Sequence, residues 1–194
     1  MIKKTAIAFA TSILLGAGAS LTALPAVAAD APVKAEQVKS LPNIAILATG
    51  GTIASRGSGS LSLTDYGVGS GHKPVGIEVL TDAVPEIKNF ANITGEQIFN
   101  VGSSKLSVAN ELTLAKRINE FLAKKDVDGI VVTHGTDTLE ETAYFLNLVV
   151  KSDKPVVLVG SMRPATGLSA DGPLNLVNAV ALAASPEAKG KGVM

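Results

Sequence analysis

Three features of the sequence predict an α/β fold: a mostly parallel sheet with helices on both faces. Short apolar, β-branched runs alternate with longer segments of helical period. Two of these runs, IVVT (130–133) and VVLVG (156–160), are continuously apolar, as in strands covered on both faces. Each run ends in small polar residues (GGT, then GSSK, HGTDT and SMRP). Parallel sheets build their sites from loops beyond the carboxyl ends of the strands.

The elements follow in order. The first strand, 44–49, is built on Ile44, Ala45, Ile46 and Leu47 and runs into ATGGTIAS (48–55). The next segment, 55–74, is rich in Gly and Ser and has little to bury. Its length suits a lid or binding loop better than a plain connection, with a passive surface loop as the alternative. A short helix is predicted over 77–83, a second strand over 97–101 and a long helix over 108–125. In that helix Val108, Leu112, Ala115, Ile118 and Leu122 form one stripe. A third strand over 129–133 leads to a helix over 139–150, where Thr138 and Glu141 have capping-box spacing. A fourth strand over 156–160 precedes a helix over 173–184, with Pro173 in its first turn. All four strands read as buried.

The amino terminus reads differently. Lys3 and Lys4 precede an apolar stretch over 6–24, then Pro25 and the small residues Ala26, Ala28 and Ala29. This is the pattern of a secretory signal peptide over 1–29, cleaved after Ala28 or Ala29. A membrane anchor is the alternative, disfavoured because no basic stop-transfer flank follows. A flexible lead-in over 30–40 and one α/β domain over 41–194 are then expected, in a protein exported to a bacterial periplasm and free of the membrane after cleavage.

Composition narrows the function. The 194 residues carry no formal net charge, which argues against nucleic acid or an anionic membrane as partner. Without cysteine there is no disulfide, thiolate metal site or cysteine nucleophile. The two histidines, His72 and His134, are isolated, so a histidine zinc site is not expected, and neither metal nor cofactor is implied.

The glycine pair of ATGGTIAS permits two readings. A phosphate cradle requires G-x-x-x-x-G-K-[ST], or G-x-G-x-x-G opening a helix. Gly50 and Gly51 give neither spacing, and a Gly/Ser loop follows. The other reading is a turn that presents the hydroxyl of Thr52. Thr136, in VTHGTDT (132–138), lies between the third strand and its helix, so both threonines should reach one edge of the sheet. The helix following Thr136 turns its positive end to that edge, where backbone N–H groups can hold a carboxylate or an oxyanion. Asp137 adds a negative charge suited to an ammonium group. The combination fits a small zwitterion such as an amino acid. Simpler roles stay open: a backbone-bonded turn threonine for Thr52, helix capping for Thr136 and Asp137, a solvated loop residue for His72. His134 is a weak candidate base, and Arg163 can bind a carboxylate or pair with an acid of the fold.

ILATGGTIAS (46–55) and VVTHGTDTLEETAYF (131–145) resemble the two signature segments of the secreted, type II bacterial L-asparaginases. GEQIFNVGSS, KPVVLVGSMRP and SADGPLNLVNAV extend the likeness over 41–194. The resemblance implies hydrolysis of L-asparagine, and more weakly L-glutamine, to the acid and ammonia. It implies that Thr52 is the nucleophile that forms an acyl-enzyme and that Tyr66, in the lid, bonds it. Thr136 would help activate water, Asp137 would hold the α-ammonium, and Ser103 the α-carboxylate. Gly51 would make room for substrate, and Ser161 would offer its backbone carbonyl to the amide. Ser104 stands where well-known members have Gln or Glu, which shortens a contact to the amino group.

The resemblance implies that the family's catalytic lysine and smaller C-terminal domain would follow Met194. The fold expected is therefore the large N-terminal domain of the asparaginase fold without its last strands, with an exposed sheet edge and little or no activity as given. The family forms homotetramers, expected of a full-length form. Two alternatives remain: a glutaminase-asparaginase of broader specificity, and a non-catalytic periplasmic amino-acid-binding protein.

Overall fold

The structure is a computed structural model that describes residues 40–67, 71, 72 and 74–194. The signal segment, all of the lead-in except Ser40, and lid residues 68–70 and 73 lie outside the described residues.

Four strands, β1 (Asn43–Gly50), β2 (Asn92–Val101), β3 (Gly129–Thr133) and β4 (Val156–Val159), form one sheet in the order β2-β1-β3-β4. Every pairing is parallel, as predicted. Parallel neighbours need a crossover: α1 (Ile77–Asp82), α2 (Val108–Leu122) and α3 (Leu139–Val149) lie in the three connections, and α4 (Gly172–Ala184) follows β4. Alternation along β1 splits the core into two layers. Ile44, Ile46 and Ala48 pack on one face with Ile77, Leu80, Leu176 and Val180 of α1 and α4. Ala45 and Leu47 pack on the other with Leu114, Ile118 and Leu146 of α2 and α3. β1, β3 and β4 are thus covered on both faces, which is why they read as continuous apolar runs.

β2 differs from expectation. It begins at Asn92, well before 97, and none of its residues is buried. It is an edge strand with β1 as its sheet neighbour, so polar residues are tolerated along it. Its register against β1 shifts between Ala48 and Gly50, and Gln97 Nε2 spans the irregularity by donating to Ala48 O at 3.0 Å and Phe99 O at 2.7 Å.

Two helix expectations are also corrected. Val108 and Leu112 are 68% and 56% exposed; the buried side of α2 is Leu114, Ala115, Ile118, Phe121 and Leu122. The sheet selects that side, and it shares only Ala115, Ile118 and Leu122 with the predicted stripe. Thr138 makes no side-chain cap on α3; its hydroxyl donates to Ser103 O at 3.3 Å. The reciprocal capping box sits on α2, between Ser107 and Asn110.

Beside β4, Val193 forms a parallel bridge to Val156. Met194 N donates to Val156 O at 2.9 Å, and Leu158 N donates to Met194 O at 2.8 Å. These two residues pair with the edge of β4 that the sequence reading left open.

Candidate active site

The strand order dictates where a site can form. From β1 the chain goes to one neighbour, β2, then crosses back to place β3 on the other side of β1. The loops leaving β1 and β3 therefore diverge, and the crevice between them is the switch point at which open α/β sheets bind ligands. Thr49 Oγ1 ties the two strand ends together by donating to Thr133 O at 2.8 Å.

Glycines let the loops meet. Gly50 and Gly51 have φ of 108° and 85°, a region costly for residues with a Cβ. A Cβ on Gly51 would lie 2.4 Å from the backbone of Gly135. One on Gly135 would lie 2.5 Å from Ser103 Oγ. The loops after β1, β2 and β3 thus touch through positions where only hydrogen fits. Asp137 N donates to Ser103 Oγ at 3.0 Å, which holds the turn before α3 against the turn after β2.

Around this junction lies a cavity of about 380 Å³. Gly51, Thr52, Tyr66, Ser103, Thr136 and Asp137 all line it, so six sequence-predicted site residues come together. Ser104 and Ser161 are not among the lining residues. Ser104 is exposed on the turn after β2; Ser161 is buried, and its hydroxyl donates to Arg163 O at 2.8 Å. Ser55, Asn100 and Lys105 also line the cavity and were not anticipated. The GSSK cluster after β2 was the available signal for Lys105.

The hydroxyls of Thr52, Tyr66 and Thr136 make no hydrogen bond among the described residues. The backbone-bonded role for Thr52 is therefore not taken up, nor is a Tyr66–Thr52 hydrogen bond formed. Tyr66 is placed by an antiparallel bridge to Gly57. That loop is pinned to the segment after β4: Gly57 N donates to Thr166 Oγ1 at 2.9 Å and Leu168 N donates to Ser60 O at 2.7 Å.

His134 lies outside the cavity lining. It is 1% exposed, with Nδ1 2.7 Å from Gly135 O. Burial pushes its imidazole below the ordinary range, against the opposing influence of Gly135 O and Glu111. Arg163 is a strut, donating to Ser169 O at 3.3 Å. Its backbone N–H and that of Met162 donate to Asp171, each at 2.9 Å. Burial raises the Asp171 pKa, but these donors and Asn175 outweigh it and leave the carboxyl below its usual value. Among the described residues no cluster of three or more His, Cys, Asp or Glu could hold a metal ion.

Comparison with known proteins shows which family the chain resembles. The chain matches the family described as Asparaginase, N-terminal, over residues 43–194. It is 64% identical over 160 residues to L-asparaginase 2 of Bacillus subtilis (strain 168), covering 82% of this chain and 42% of that protein. It is 53% identical over 179 residues to the glutaminase-asparaginase of Pseudomonas fluorescens biotype A, covering 92% of this chain and 48% of that one. The crystal structure of a probable cytoplasmic L-asparaginase from Campylobacter jejuni superposes with a TM-score of 0.74 at 55% identity, covering 79% of this chain and 45% of that chain. The chain thus spans less than half the length of these relatives. Sheet order, cavity and likeness lead to one conclusion: this chain belongs to the asparaginase family, matching its N-terminal part.

Proposed function

We propose that the protein hydrolyses the side-chain amide of L-asparagine to L-aspartate and ammonia. One observation carries the reading. Thr52, Thr136, Asp137, Ser103 and Tyr66 line a single cavity at the β1/β3 switch point. Asp137 holds the α-ammonium, and Ser103 and nearby backbone donors hold the α-carboxylate. The Thr52 oxygen attacks the amide carbon, the C–N bond breaks, and ammonia leaves with the proton lost by Thr52. Water, aligned with help from Thr136, then opens the ester and releases aspartate. Thr52 and Thr136 are catalytic residues in this scheme, and Tyr66 closes onto Thr52 when substrate binds. Ser161, buried and outside the cavity lining, offers its backbone carbonyl to the amide only if the segment after β4 moves toward the cavity. Ser104, exposed and outside the cavity, contacts the amino group only if its turn moves inward.

A threonine hydroxyl is a weak nucleophile without a neighbouring base. No described group bonds to Thr52 Oγ1, and the resemblance assigns the activating role to a family lysine for which these residues offer no matching motif. The form proposed to be active is a homotetramer, exported to the periplasm by residues 1–29. The relationship to a glutaminase-asparaginase keeps L-glutamine as a second substrate. The same open hydroxyl favours one further reading, amino-acid binding without turnover.

The test is ammonia release from L-asparagine and L-glutamine by the native gene product, with Thr52→Ala and Thr136→Ala beside it. Turnover lost in both variants, with asparagine binding retained, is expected. Turnover unaffected by Thr52→Ala overturns the mechanism. Binding without turnover in the native product selects the binding-protein reading.

A further inference from the structure

Lys105 is the last residue of the 3₁₀ turn Ser103–Lys105, which leaves the carboxyl end of β2. Both ends of this turn, Ser103 and Lys105, line the cavity. Among the described lining residues Lys105 and Asp137 are the only charged side chains, one of each sign. The ion pairs among the described residues join Arg117 to Glu96 and Glu120; none uses Lys105. An amino acid carries one charge of each sign a few ångströms apart. Its ammonium needs a carboxylate and its carboxylate needs a cation.

We infer that Lys105 is a specificity-determining residue that reads the α-carboxylate of the ligand beside Ser103. The inference rests on the proposed amino-acid site and deepens it. Ser103 Oγ already accepts a hydrogen bond from Asp137 N at 3.0 Å, so its hydroxyl proton is free to be given to a carboxylate oxygen. It brings no net charge. Lys105 supplies that charge from the same turn, and its backbone is fixed because its N–H donates to Gly102 O at 2.9 Å. The side chain is exposed, so its effect is that of a screened surface pair: about fivefold in affinity, falling as salt rises.

The experiment compares two ligands on the purified chain by calorimetry: L-asparagine, and its α-carboxamide, in which the carboxylate is neutral. Lys105→Met is expected to weaken L-asparagine about fivefold and leave the α-carboxamide unchanged, while Lys105→Arg restores asparagine affinity and Lys105→Glu weakens it further. Equal weakening of both ligands, or of neither, overturns the inference. Unfolding curves that coincide with the parent exclude loss of fold. If the parent chain binds neither L-asparagine nor L-aspartate, the amino-acid site itself is refuted, and the role of Lys105 falls with it. Binding that ignores the Lys105 substitutions refutes Lys105 alone.

Discussion

Gly51→Ala isolates the contact on which the site depends. Two costs can be worked out separately. Alanine at φ 85° and ψ −174°, a region essentially reserved for glycine, costs about 1–3 kcal/mol in the backbone. Its Cβ would also stand 2.4 Å from the Gly135 backbone. Backbone cannot rotate away like a side chain, so an overpacking cost of roughly 1–3 kcal/mol applies as well. Against these, alanine restricts the unfolded chain and returns about 0.4–1 kcal/mol. The net expectation is a loss of roughly 1–6 kcal/mol, centred near 3. Two other glycines separate the contributions. Gly190 has φ 74° and nothing within 4 Å of a built Cβ, so Gly190→Ala should lose only about 1 kcal/mol. Gly59 also has open space, with no left-handed φ, so Gly59→Ala should be neutral or slightly stabilising. Urea unfolding followed by circular dichroism reads all three as midpoint shifts at constant slope. If Gly51→Ala costs no more than Gly190→Ala, the loops are not held together by this contact, and the account of the glycine pair is wrong.

Further expectations follow from burial, capping and titration. Leu114→Ala should cost about 2–5 kcal/mol and Leu112→Ala less than about 0.5, because the first side chain is 0% exposed and the second 56%; equal costs in urea unfolding would place the wrong face of α2 on the sheet. Ser107→Ala should cost about 1 kcal/mol through its capping box, whereas Glu141→Ala on α3 should cost close to nothing. The His134 pKa is lowered in the fold, so the unfolded chain binds the proton first as pH falls. Its contribution is complete above the unfolded value of about 6.5 and is lost as pH drops through it toward the folded value; a His134→Gln variant should show a flatter stability profile there. Asp171 is also lowered, and its contribution is complete above the unfolded carboxylate value of about 3.9 and lost as pH falls toward the lower folded one. Asp171→Ala should remove that acid-limb dependence, and an unchanged profile would refute the role given to its backbone donors.

Local pattern determined much of this protein. The apolar runs of β1, β3 and β4 marked buried parallel strands because their covered faces leave no position for a polar residue. The loops GGT, GSSK and HGTDT marked the edge that holds the cavity, because parallel strands all end on one side. Thr52, Thr136 and Asp137 were legible on that ground as residues of one edge, and the likeness of the signature segments added Ser103 and Tyr66; all five line the cavity. Other properties belonged to the tertiary structure alone. The exposed side of α2 depends on which neighbour the helix meets, and an apolar stripe read from periodicity carries no record of that neighbour. β2 became an edge strand through sheet order, which pattern does not encode. Thr138 had the spacing of a cap, yet its hydroxyl found Ser103 O from another loop. Lys105 entered the cavity for a similar reason. A side chain's position relative to residues distant in sequence is decided only when the strands take their order and the glycines let their loops touch.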